Sequence, residues 1–175
     1  MKKIVLTYGL IAGAIMSLMM LITFTVIGCD FSIRGMIIGY TSMILAFTLI
    51  FFGTRNYRDN FQHGIISFGR AFGVGILIAL IASVIYVIVW MIFQHFMYPD
   101  FYEQYGNKQM EMLQTGGASA TELASAKKDL EFMKDVGNKP VLIFFFTLLE
   151  PFPVALLGTL ISALILKRKT IPSVQ

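Results

Sequence analysis

The sequence predicts an all-α membrane protein, a bundle of four transmembrane helices, and three observations carry the prediction. Hydrophobic residues make up 57% of the chain and the mean hydropathy is +0.74, more apolar matter than 175 residues can hide in one soluble core. That matter is gathered into four solid runs, each close to the ~20 helical residues that cross a hydrocarbon layer of ~30 Å. The runs lack the alternation of barrel strands, and a helix is the structure that satisfies its backbone within one segment in lipid.

The first span is expected at Ile4 to Gly28. The opening MKK and the VIGC at Val26 to Cys29 resemble a lipoprotein signal, but such apolar regions run only ~7 to 15 residues. This run is longer and places Gly9, Gly13 and Ser17 at four-residue spacing, the pattern of a packed span. It is therefore read as retained, with Cys29 a lone thiol that has no second cysteine to pair with. Asp30 to Gly35 is expected as a tight turn, and the second span at Met36 to Gly53. A connection from Thr54 to Gly69 follows, and its Tyr57, Phe61 and Phe68 place it on the membrane interface.

The third span is expected at Ala71 to Phe96, ending in an aromatic belt of Trp90, Tyr98, Phe101, Tyr102 and Tyr105, with Pro99 breaking the helix. The loop from about 98 to 140 is the only sizeable soluble segment. After a Gly116-Gly117 breaker, Ser119 and Glu122 have capping-box spacing, and Leu123, Ala126, Leu130 and Met133 share one face. A short amphipathic helix over about 120–136 is expected to lay that face on the bundle mouth or membrane. The fourth span runs from Val141 to Leu166.

Charge sets the orientation. With both termini in the cytoplasm, Lys2, Lys3, Arg55, Arg58, Arg70, Lys167, Arg168 and Lys169 all lie inside, with Asp59 the acid among them. The loop between the third and fourth spans balances Asp100, Glu103, Glu111, Glu122, Asp129, Glu131 and Asp135 against Lys108, Lys127, Lys128, Lys134 and Lys139. The net charge of +4 is thus a sum over two unlike faces, and no nucleic-acid partner is read from it. Arg55, Arg58, Arg70, Lys167, Arg168 and Lys169 form a cytoplasmic basic face suited to membrane lipids with anionic headgroups.

Across nearly the whole chain, GYTSM at Gly39 to Met43, NYRDNFQHGIISFGRAFGVG at Asn56 to Gly75, YVIVWMI at Tyr86 to Ile92, YPDF at Tyr98 to Phe101 and LLEPFPVALLGTLISALILKRK at Leu148 to Lys169 resemble domain-of-unknown-function family 4199. That group comprises small four-helix bacterial membrane proteins. The resemblance implies a multi-pass inner-membrane protein with four spans, and brings no catalytic residue or cofactor with it.

Reactive constellations are not found. His63 and His95 fall on opposite sides of the membrane and cannot share a metal. No nucleophile elbow, paired-histidine zinc motif or phosphate loop is present. Gly35-x-x-x-Gly39, Gly69-x-x-x-Gly73, Gly75-x-x-x-Ala79-x-x-x-Ser83 and Gly158-x-x-x-Ser162 are read as close helix contacts.

What remains is polar matter in the bilayer. At ~1.5 Å rise per residue, Glu150 lies about 13 Å below the outer end of its span, near the depth of Tyr86. Tyr40, Ser17 and Thr23 flank that level, so Glu150, Tyr86, Tyr40, Ser17 and Thr23 are the candidate intramembrane polar site. Pro151 and Pro153 remove backbone donors and are expected to kink the fourth helix. An acid at this depth is costly in lipid, so Glu150 should face inward toward Tyr86 or Tyr40 as a protonated, hydrogen-bonding carboxyl. The leading functional expectation is a non-catalytic packing, assembly or accessory component, alone, as a homo-oligomer or beside a membrane protein partner. The second is a small transporter or a lipid- or solute-binding protein using Glu150 in an outward-facing pocket. A lipid-modifying enzyme comes third, because no second acid, histidine or metal ligand stands near Glu150.

Overall fold

The computed structural model describes residues 1–26 and 33–168. The first half of the turn expected at Asp30 to Gly35, the thiol of Cys29 and the charge of Lys169 lie outside the described residues, and from Ile33 that stretch is helical. Seven helices follow in order: α1 Lys2–Val26, α2 Ile33–Phe61, α3 Phe68–Met97, α4 Phe101–Thr115, α5 Ala120–Gly137, α6 Pro140–Leu149 and α7 Phe152–Leu166. Four stretches are long and apolar enough to cross a membrane: α1, Ile37–Phe61 of α2, α3, and α6 with α7 taken together. The chain is a helical membrane bundle, as the apolar runs require.

Helix α3 is the axis. It packs against α1, α2, α6 and α7, and its buried side chains, from Ala71 through Ile78 and Ala82 to Trp90 and Gln94, are mostly small. Small residues set how near the neighbours come. On α1, Gly9 and Gly13 lie so close to α3 that an added Cβ would stand 2.8 Å from the Ile81 Cβ and 2.9 Å from the Ile85 Cβ. Gly75 meets Thr159 of α7 and Ile50 of α2 in the same way. These contacts replace the hydrophobic drive that lipid cannot supply between helices. The opposite faces carry exposed Leu6, Leu10, Ile44, Leu80, Leu157 and Ile161, the side chains a lipid layer would cover. Ser17, Thr54 and Thr159 bury hydroxyls with no hydrogen-bond partner.

Three glycines expected in helix contacts make none among the described residues. A Cβ on Gly39, Gly69 or Gly73 would meet nothing within 4 Å. Spacing shows that a helix face is small; whether another helix occupies it depends on topology.

Helix α2 also runs further than expected, through Thr54 to Phe61, the stretch read as an interfacial connection. Its polar last turns are held by tertiary contacts. Asn56 donates to the Tyr8 hydroxyl at 3.2 Å, and Arg58 is buried with its guanidinium 2.6 Å from Asp59 Oδ1 and reaching the Leu166 carbonyl at 3.5 Å. Arg58 therefore caps the C-terminus of α7 and does not share the open basic face with Arg55, Arg70, Lys167 and Arg168, which are exposed. Ile66 and Arg168 close this terminal end by exchanging backbone hydrogen bonds of 3.2 and 2.9 Å.

At the other end the loop holds two helices, one more than expected. Helix α4 arises where the aromatic belt was read: Tyr98 and Asp100 end α3 and begin a second helix across Pro99, and Phe101 stacks edge-on against Trp90 at 4.8 Å. The Gly116-Gly117 break and the Ser119–Glu122 capping box both form as the sequence predicts. The stripe on α5, however, faces α4. Leu130 presses on Gly106, the Lys134 ammonium sits 2.7 Å from Glu103, and Tyr102 covers Gly137. Phe132 meets Phe146 at 5.6 Å, which fastens the α4–α5 hairpin to α6.

Candidate functional site

The site begins with missing backbone donors. Pro151 offers no N–H to the Thr147 carbonyl and Pro153 none to Leu149, so the helical ladder is interrupted between α6 and α7. The Glu150 N–H bonds Thr147 at 3.3 Å, a shorter loop than the helical one, and regular bonding resumes with Ala155 to Pro151 at 2.9 Å. Glu150 (φ −63°, ψ −55°) and Pro151 (φ −75°, ψ −15°) keep right-handed helical angles. Where the kink was expected, the hydrogen-bond ladder breaks between two helices that together make one span. Pro151 is fully buried at the break, whereas Glu150 is exposed with protein packed densely around its carboxyl group.

Glu150 opens into a cleft of about 610 Å³ at the hairpin end of the bundle. Helix α1 contributes Met16, Met20, Thr23 and Phe24, and α2 contributes Gly35, Gly39, Tyr40, Ser42 and Met43. Tyr86 and Trp90 come from α3, and Phe146, Thr147, Leu149 and Glu150 from α6. The hairpin roofs it with Phe101, Tyr102, Tyr105, Gln109 and Met112 of α4 and Met133 of α5. The bare face of Gly35 and Gly39 thereby has a use: it lies on the cleft wall and lets the space reach α2.

Of the five polar residues expected together, four line this cleft. Tyr86 is buried, with its hydroxyl near the Glu150 carboxyl and Tyr40 and Tyr102 close by. Thr23 lines it with its hydroxyl donated to the Met19 carbonyl at 2.8 Å. Ser17, between the lining residues Met16 and Met20 on α1, is buried and does not line it. Sequence reasoning missed Ser42, Thr147 and Gln109, and the roof. Thr147 lies one turn before Glu150, so helical spacing alone could have found it. Nothing local distinguishes the roof tyrosines from an interfacial belt.

Chemically the cleft is an apolar, sulfur- and aromatic-rich space with one carboxyl at its floor. Among the described lining residues Glu150 is the one charged side chain. His63 and His95 sit at opposite ends of the bundle, and among the described residues no three His, Cys, Asp or Glu side chains gather. The family model described as "Protein of unknown function (DUF4199)" matches residues 7–168. No curated protein and no solved structure matches the chain.

Proposed function

We propose, for this chain, which belongs to the DUF4199 family, that it is a multi-pass bacterial inner-membrane protein that binds a small amphipathic molecule in the Glu150 cleft. One observation carries the reading: a carboxyl on an interrupted helix opens into a cleft of about 610 Å³, within the size range of small-ligand sites. A bundle evolved only to pack would close such a space, since every missing contact costs dispersion energy. The binding is non-catalytic, because no second acid, histidine or base stands beside Glu150 among the described lining residues.

The terminal end faces the cytoplasm and the hairpin end faces outward. Exposed Arg55, Arg70, Lys167 and Arg168 at the terminal end support this, as does the mixed charge of the hairpin. They also suit that face to anionic headgroups. A cysteine placed at Gln62 should stay unreactive to an impermeant reagent in intact cells; labelling there would reverse the orientation.

Native mass spectrometry from mild detergent tests the binding. The wild-type chain should retain a bound small molecule or take up an added amphiphile, and Gly39→Phe, which projects a ring from the cleft wall, should lower occupancy about tenfold. Equal occupancy in the two proteins would place binding elsewhere. A role as an accessory or assembly component is supported by Gly69 and Gly73, whose small face meets no neighbour among the described residues. The same spectra read it as a dimer or partner mass that Gly73→Leu removes.

A further inference from the structure

We propose that the cleft selects a lipophilic organic cation, an ammonium or similar positive head carried on an apolar body. This deepens the binding reading and rests on it.

Charge is the first ground. Glu150 is the only acidic or basic side chain among the described lining residues, so nothing there neutralises an anionic headgroup, whereas a bound cation favours the ionised form of Glu150 and so gains a carboxylate partner in a poorly hydrated space. The second ground is which way the polar groups point. Thr23 and Ser42 donate their hydroxyl protons to carbonyls of their own helix, each at 2.8 Å. Tyr86 lies beside Glu150, and the Gln109 amide donates to the Tyr105 hydroxyl at 3.0 Å. The donors of Thr23, Ser42 and Gln109 are thus spent within the protein, and at these residues a ligand that supplies donors or positive charge is favoured. Third, Tyr40, Tyr86, Trp90 and Tyr102 line the same cleft as Glu150, and the negative face of an aromatic ring attracts a cation. Methionines on α1, α2, α4 and α5 complete an adaptable apolar wall for the body of the molecule.

The head could belong to a free lipophilic cation or to the ammonium of phosphatidylethanolamine; the chemistry recognised is the same.

Trp90 is the one tryptophan of the chain and lines the cleft, so its emission reports occupancy. The full-length protein in uncharged maltoside micelles is titrated with tetraphenylphosphonium and with tetraphenylborate, which share a shape and differ in sign. The phosphonium should change Trp90 emission saturably, and Glu150→Gln should weaken its apparent Kd about tenfold or more at unchanged Tm. The borate should give no saturable change. If Glu150→Gln fails to fold, Tyr40→Leu on the exposed wall should weaken the phosphonium about threefold.

Equal binding of the two ions, or phosphonium binding indifferent to both substitutions, would overturn the proposal. A neutral monoacylglycerol that perturbs Trp90 where the phosphonium does not would overturn the cation while leaving a binding cleft. Silence from all probes, with no occupancy difference for Gly39→Phe, would remove both readings. Competition by added phosphatidylethanolamine would support the cation and assign a lipid headgroup as its source. Phosphonium binding unaffected by that lipid would support a free cation.

Discussion

Gly13→Leu should cost about 3 kcal/mol or more of bundle stability, the top of the range for forcing a side chain into a packed interior. A Cβ there would stand 2.9 Å from the Ile85 Cβ and 3.1 Å from the Ala82 carbonyl oxygen. The isoleucine can rotate aside, but the carbonyl belongs to the α3 backbone, so the two helices must separate to admit even the first carbon. Separation loosens the whole line of small residues from Gly9 to Ser17, because each depends on the same close approach. Gly39→Leu is the control. Its Cβ would meet nothing within 4 Å, and leucine is the better helix former, so stability should change by less than about 1 kcal/mol. Unfolding by titration with a denaturing detergent compares them, and equal midpoints would show that the α1–α3 contact is not the tight one.

The second large effect is expected at Leu130. Leu130→Asp should cost the α4–α5 hairpin about 2 to 4 kcal/mol, combining a lost leucine contact with a carboxylate set against an apolar partner. Leu130 presses on Gly106, where no side chain can be rearranged to fill the gap. The ion pair of Glu103 with Lys134, at 2.7 Å, is half-exposed on both sides and cannot hold the helices together alone. Limited proteolysis should cut near Gly116 and Gly117 much faster in the variant, while the four spans stay inserted. The roof residues Tyr102, Tyr105 and Met133 would then leave the cleft, so ligand occupancy should fall with the hairpin. Protease resistance equal to wild type would show that the α4–α5 contact does not hold the hairpin closed.

The sequence by itself determined the solvent and the class of fold. Long apolar runs have one stable form in lipid, so four spans, the small-residue face of α1 and the interruption after Glu150 were legible before any tertiary contact was known. The capping box at Ser119 and the break at Gly116 were legible too, since both are local chemistry. The tertiary structure alone decided what fills the space beside each face. Gly9 and Gly35 each begin a pair of glycines four residues apart, yet Gly9 is pressed against α3 and Gly35 looks into a cleft. Likewise Arg58 and Arg55 are both basic residues near the end of α2, but the end of α7 happens to cover Arg58. The roof was invisible because Tyr102 and Tyr105 suit a membrane interface as well as a helix folded over the bundle. Periodicity specifies which residues share a face; which element meets that face depends on how distant helices cross, and no local pattern records the crossing.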